Sequence, residues 1–371
     1  MRRPAGWMIA FLSALGGCAS TPVQPPTYAR LLSAESPLPP ATNKLTPPPA
    51  SCQQRIRDHA ETYALPSPLE PALQQRLDTI LDRLHPTAHR ILNRTHGIWP
   101  VRDLRGAAAA FVPCDMNLAE GTGGFVFVDI DAFPLDRDLR DAAVPSLYWR
   151  SLAGGEARAR VQRLPDSSWP MTTDPAVRYL VLHELGHALS LYAGEFELDD
   201  RVRIRVTRMD GFAGYSWRFV TTEARLLPLS PDDQLVRSVI PRVALDTVQW
   251  GSVLSVIDGP ASLISPGYQL TERQDPMTRT LYVCAAAANL PLAGFVTPTA
   301  ARYPTEDYAE MFAHAILSDE GKIHPTDTVP VDLPLCEIKR LPSPYFSSSL
   351  RAKRRYMERA LGVVPRLDMV E

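Results

Sequence analysis

Several things are scarce in this chain. Only four of its 39 basic residues are lysine, at positions 44, 322, 339 and 353. That bias reads as genome composition rather than function. Formal net charge is -2 and the sequence pI is near 6.5. With no extended basic run, nucleic acid is a poor partner and is set aside. Past the first twenty residues no apolar run is long enough to cross a bilayer. The five cysteines form no CxxC pair and no Cys/His cluster, which removes thiolate metal sites. No internal repeat is found. What the chain has is size: 371 residues, 45% of them hydrophobic, are enough for one large domain or two smaller ones.

The first residues read as a processing segment. Arg2 and Arg3 precede a short apolar stretch, Trp7 to Leu15, which ends in Leu15-Gly16-Gly17-Cys18. This resembles the bacterial lipoprotein signal, which implies that residues 1–17 are removed and that Cys18 becomes a diacylated N-terminus. An ordinary signal peptide is the alternative. Ala19 follows in place of Asp, which by the same resemblance implies the outer membrane. Residues 18–51 are rich in Pro, Ala, Ser and Thr, with Pro47-Pro48-Pro49 among their runs. They read as a stiff tether. Cys52, Cys114, Cys284 and Cys336 remain after Cys18, and an exported chain can hold them as two disulfides in any of three pairings.

Globular character starts at Cys52, so the expected domain is 52–371. Leu73, Leu77, Ile80, Leu81 and Leu84 recur at helical spacing, predicting a helix over about 70–84 that Pro86 ends. Ala107 to Val112 and Phe125 to Ile130 read as short strands, with Gly121, Gly123 and Gly124 between them as turn residues, and could form a hairpin. Asp174-Pro175 reads as the cap and first residue of a helix that runs to Tyr192 and stops at Gly194. Thr305 is a second expected cap, for a helix through Tyr308, Phe312 and Leu317. Between these helices, about 195–295 reads as a mostly helical insertion, including Leu226 to Leu245 and Val248 to Ile257.

The stretch YLVLHELGHALSL, Tyr179 to Leu191, is apolar apart from His183, Glu184, His187 and Ser190, with a hydroxyl on Tyr179. A buried ionisable group without a partner costs several kcal/mol or shifts its pKa until neutral. His183 and His187 lie one turn apart on one helix face and can share a Zn²⁺. Glu184 then projects beside the metal, placed to take a proton from an activated water. Gly186 costs roughly 1 kcal/mol against Ala in a helix, so a packing or functional reason is expected for it. A catalytic zinc needs a third protein ligand and an open vertex. Metzincins supply a histidine six residues past the second, but Ala193 stands there. A distant carboxylate is therefore expected, and YPTEDYAEMFAHA, Tyr303 to Ala315, offers Glu306 and Glu310 one turn apart. Spacing alone permits either. Ala309 and Ala313 leave room for close helix approach.

HELGH followed by EDYAE resembles the gluzincin metallopeptidases. It is most similar to the branch whose second motif reads Glu-Asp-aromatic-Ala-Glu and which includes the anthrax lethal factor protease domain. The likeness is firm over about 30 residues. It implies an α+β, zincin-like fold with a small sheet and an active-site helix. It implies His183, His187 and Glu306 as zinc ligands, Glu184 as general base and Glu310 as a carboxylate orienting the ligands. That branch often carries a tyrosine seven residues before the ligand Glu as oxyanion stabiliser. Here the position is Thr299, and Tyr303 is the nearest replacement. His314 reads as an ordinary helix-surface residue.

Weaker patterns read as structural. His85 and His89 repeat the four-residue spacing, but Pro86 interrupts the register. Asp129, Asp131, Asp136 and Asp138 read as a solvated strand end; they lack the glycine and terminal Glu of an EF-hand loop. GYSWRF, Gly214 to Phe219, reads as core, with a substrate cleft as the alternative. LRAKRRYMERAL, Leu350 to Leu361, reads as a solvated basic amphipathic helix, with lipid binding the lesser alternative. The expectation is a lipid-anchored zinc endopeptidase of the bacterial envelope acting on protein or peptide, with the first strand pair offering an edge to the substrate. The rival is a non-catalytic envelope lipoprotein that keeps the same scaffold for binding or assembly.

Overall fold

The computed structural model describes residues 27–33, 44–59, 63–64, 67–102, 104, 109–129, 173–198, 204–206, 209–223, 235–241, 294–297, 300, 304–326, 328–330 and 340–363. They mix helix and strand. The N-terminal half holds helices α1 (Tyr28–Leu31), α2 (Ala50–His59), α3 (Pro71–Asp82) and α4 (Pro86–Leu92). It also holds strands β1 (Tyr63–Ala64), β2 (Ile98–Arg102), β3 (Ala109–Val112) and β4 (Phe125–Asp129). These strands form one sheet in the order β1-β2-β4-β3. β2 and β4 are parallel, and β3 pairs antiparallel with β4, Val112 opposite Phe125, as the expected hairpin. β4 is buried along its whole length, which is why it reads as a continuous apolar run rather than an alternation. β3 is an edge. Gly121, Gly123 and Gly124 turn the chain between them with positive φ.

Helix α5 (Thr173–Tyr192) packs on β3 and β4, and α6 (Pro304–Asp319) packs along α5. Helix α7 (Arg351–Leu361) closes the far side of α6. A continuous core joins Leu73, Leu77 and Ile91 of α3 and α4, which pack on α5, to Leu182, Leu185, Phe312 and Ile316 of α5 and α6. A disulfide ties Cys52 of α2 to Cys114 behind β3. Cys284 and Cys336 lie outside the described residues.

Several boundaries differ from expectation. Helix α3 matches its predicted stripe, but Pro86 opens α4 rather than merely ending α3, with His85 as the N-cap. α5 begins at Thr173, one residue before the expected cap Asp174, and stops at Gly194 (φ 67°) as predicted. α6 begins at Pro304, so Thr305 is a buried residue of the first turn and not the cap.

The expected tether is shorter than 18–51. Residues 27–33 and 44–51 pack on the domain: Leu31 and Leu32 are buried, Lys44 Nζ donates to the carbonyls of Asn93 and Thr95, and Leu45 bridges Ile98. Two leucines among the prolines sufficed to bring this segment into the core. The described part of the insertion is strand with one 3-10 turn, Phe212–Tyr215, and holds no α-helix. Leu235–Pro241 (β8) pairs antiparallel with Trp217–Glu223 (β7), and Glu197–Leu198 (β5) with Ile204–Arg205 (β6). Val236, Val239, Ile240, Val220, Thr221 and Thr222 are β-branched and favour the pleated surface. Periodicity over so short an apolar run could not separate the two states.

Candidate metal centre

Helix α5 presents Tyr179, His183 and His187 one turn apart on the face toward α6. The approach of the two helices is close because Gly186 has no side chain: a Cβ there would lie 2.7 Å from Cα of Ala309. The small Ala309 and the missing Cβ of Gly186 thus bring the α6 carboxylates into reach of the imidazoles.

His183 Nε2 and His187 Nε2 are 3.2 Å apart. Glu306, in the first turn of α6, places Oε2 3.2 Å from His183 Nε2 and Oε1 3.6 Å from His187 Nε2. One donor atom from each of the three lies within 4.8 Å of the other two. Two ligands at the usual zinc distance and the tetrahedral angle sit about 3.3 Å apart, so this spacing fits a shared ion. Both imidazoles are nearly buried, while Glu306 keeps 27% of its side-chain surface exposed, so the site opens on the Glu306 side.

Glu310, the other candidate ligand, serves the opposite nitrogen. Its Oε1 is 3.0 Å from His183 Nδ1, in ion-pair range though off the ideal hydrogen-bond line. Tyr179 OH donates to its Oε2. A carboxylate behind a histidine fixes the tautomer that leaves Nε2 free for a ligand. The structure therefore separates two roles that spacing had left open. Tyr179 was missed as a participant, although it lies one turn before His183, at the spacing that singled out the histidines. His314, expected on the surface, is buried against Tyr179 and Tyr345, and its Nδ1 is 2.9 Å from the Glu310 carbonyl oxygen. The apolar neighbours Ala313, Ile316 and Leu317 show why that face turned inward.

Glu184 is buried on the flank of α5 next to β3, where Phe111 N donates to its Oε2 at 2.7 Å. The edge strand β3 thus runs directly past the carboxylate. Burial pushes Glu184 up to about 7, with His183 opposing and Glu306 adding to the shift. Burial pulls His187 down to about 4, whereas for His183 the bonds from Glu306 and Glu310 outweigh burial and hold it well above its usual value. Two imidazoles whose Nε2 atoms are 3.2 Å apart cannot both be cations. Three carboxylates thus surround a space in which only one imidazole charges. A dication meets that excess of negative charge better than a single proton does.

Searched against family models, curated proteins and solved structures, the chain matches none. The residues must therefore speak for themselves. Of those singled out in the sequence, His183, Glu184, His187, Glu306 and Glu310 converge. Tyr303, Thr299 and Cys18 lie outside the described residues, as do Asp131, Asp136 and Asp138. Asp129 is not solvated: it is buried, and its Oδ2 accepts from Leu104 N at 2.9 Å.

One cluster joins three stretches that the sequence pattern did not connect. Asp307, next to Glu306, faces away from the site and accepts from Lys353 Nζ of α7 at 2.7 and 2.8 Å and from Trp217 Nε1 at 2.9 Å. All three side chains are buried. Trp217 of GYSWRF is thus core, as expected. Burial raises Asp307 to about 6 against the pull of Lys353. With Asp307 fixed on one side and Glu310 on the other, the rotation of α6 about its axis is set, and Glu306 with it.

Proposed function

We propose that the protein is a zinc-dependent endopeptidase of the bacterial cell envelope with a zincin-like fold related to the gluzincins. The observation that carries this reading is the convergence of His183, His187 and Glu306 on one point, with Glu184 beside it and Glu310 behind it. Zinc held there would act as a Lewis acid on the scissile carbonyl and bring the acidity of water toward neutrality. Glu184 would be the general base toward the attacking water and then the acid toward the leaving amine. Glu310 and Tyr179 hold His183 in register. The outward side of β3 receives the substrate backbone as an added strand, which brings a peptide past Glu184. Tyr303 is proposed as the oxyanion donor in place of a residue at 299. The signal-like first residues, Cys18 and the Cys52–Cys114 disulfide support an exported, lipid-anchored protein.

The test compares the wild type with Glu184→Gln for zinc content and for cleavage of an unstructured protein such as casein. Wild type should carry one zinc per chain and cut. Glu184→Gln should keep the metal and lose about 10²–10⁴-fold in rate. Zinc bound by both without any cleavage would favour a binding or assembly role on the same scaffold. A chain that binds no zinc would end the proposal.

A further inference from the structure

The C-terminal helix α7 is basic, yet its basic residues divide. Lys353 and Arg354 are buried: Lys353 pairs with Asp307, and Arg354 donates to the Tyr345 carbonyl at 2.9 Å while lying over the Tyr345 and Phe346 rings. Arg351, Arg355 and Arg359 are exposed. They follow one another at four-residue intervals and so line a single face of the helix. The one acid of the helix, Glu358, is buried and does not share that face. The sequence pattern alone could not sort the five; a uniformly solvated helix and this one read the same.

A second observation places this helix beside the N-terminal segment. Tyr28 of α1 donates to Glu195 Oε1 at 2.8 Å and is 2.8 Å from Tyr308 OH, and Tyr356 of α7 donates to the same Glu195 oxygen. Leu31 is buried, and Arg94 donates to the carbonyls of Leu31 and Arg30. α1 and α7 are packed together. The chain is therefore fastened to the domain at Thr27, nine residues on from Cys18. Nine residues span at most about 30 Å fully extended. Any anchor at Cys18 thus holds the side of the domain that carries α1 and α7 within that distance of the bilayer, and Arg30, exposed on α1, adds to its charge.

We propose that the Arg351/Arg355/Arg359 face of α7 docks on the phosphate groups of an anionic phospholipid surface and, with the anchor, orients the domain on the membrane. The direction of the face rests on the lipid-anchor reading; the affinity for the surface does not. Each arginine near such a surface contributes about fivefold in binding, so the three together supply about 100-fold. The consequence for the peptidase reading is a substrate held at the membrane surface, because the domain has no long tether with which to search away from it.

The experiment uses the full chain with Cys18→Ala, so that no acyl group contributes. Flotation is measured with vesicles of about 30 mol % phosphatidylglycerol in phosphatidylcholine, and with phosphatidylcholine alone. Binding should require phosphatidylglycerol, fall about 100-fold in the Arg351→Gln/Arg355→Gln/Arg359→Gln variant, and be lost above about 0.5 M salt. The triple substitution leaves Arg2, Arg3 and the apolar stretch near the N-terminus unchanged, so the difference it makes excludes their contribution. An unchanged melting temperature in that variant shows that the fold is intact, as expected for exposed positions. Binding that ignores the charge of the vesicle, survives the triple substitution, or is absent in the parent overturns the proposal. Acyl labelling of the chain with Cys18 intact is scored separately: no label with stripe-dependent flotation removes the anchor and leaves the docking face.

Discussion

The molecule places two histidines four residues apart twice, and only one pair converges on a common point. His183 and His187 both lie inside the uninterrupted helix α5, and their Nε2 atoms are 3.2 Å apart. His85 and His89 straddle the start of α4. His85 is outside that helix as its N-cap, its Nδ1 accepting from Thr87 N at 3.2 Å. That acceptor role leaves the proton on Nε2, which donates to Asp319 at 3.0 Å. His89 is half-buried in the helix, where burial lowers its pKa. Pro86 between them decides the matter: it fits the first position of a helix and not the second turn. Spacing carries chemical meaning only where one continuous helix carries it.

The largest expected contrast breaks the comparison directly. His187→Ala should abolish zinc binding at micromolar metal, a loss greater than the about 10–100-fold that follows removal of a partner outside the ligand shell. His89→Ala should leave the metal content at the wild-type value. Equal zinc loss from both would mean that the metal site has been assigned to the wrong pair.

How far this contrast was readable beforehand depended on the kind of signal. The helices α3, α5 and α6 and the β3–β4 hairpin were legible because each declares itself locally, by apolar period, by Pro and by Gly. The identities of His183, Glu184, His187 and Glu306 followed from local motif and resemblance. Which of the two carboxylates lies against the Nε2 atoms, Glu306, and which against His183 Nδ1, Glu310, was not settled by spacing, because both lie on the same face of α6. It took the tertiary approach at Gly186 to settle it. Asp307–Lys353–Trp217 was not legible at all: its members are 46 and 90 residues apart, and a buried lysine looks like any other in a basic helix. Docking of Tyr28 to Glu195, across 167 residues, was hidden in the same way by a proline-rich composition that reads as spacer.

An intermediate effect sharpens the division of labour on α6. Glu310→Gln keeps the side-chain volume and can still accept from Tyr179, but it removes the charge opposite His183 Nδ1. Zinc affinity, measured by competition with a chromogenic chelator, should fall about 10–100-fold while one ion per chain still binds at saturation. Glu306→Gln should lose more, since it alters a ligand itself. If the two variants ranked the other way, Glu310 would be the metal ligand and Glu306 its support.

The smallest expected effect falls on the other histidine pair. His85→Ala removes the cap of α4, which costs about 1 kcal/mol at a typical N-terminus. The contact with Asp319 adds little, because that carboxylate is a quarter exposed and the pair is screened by solvent. The measurable result is a lower midpoint in urea at an unchanged slope, with zinc content and zinc affinity both at the wild-type value. His85→Asn should restore most of the loss, since Asn caps a helix with its own side-chain oxygen but cannot reproduce an imidazole ligand. A drop in zinc affinity that His85→Asn fails to repair would tie α4 to the metal centre through the C-terminal end of α6. It would show that the two pairs are coupled rather than merely alike.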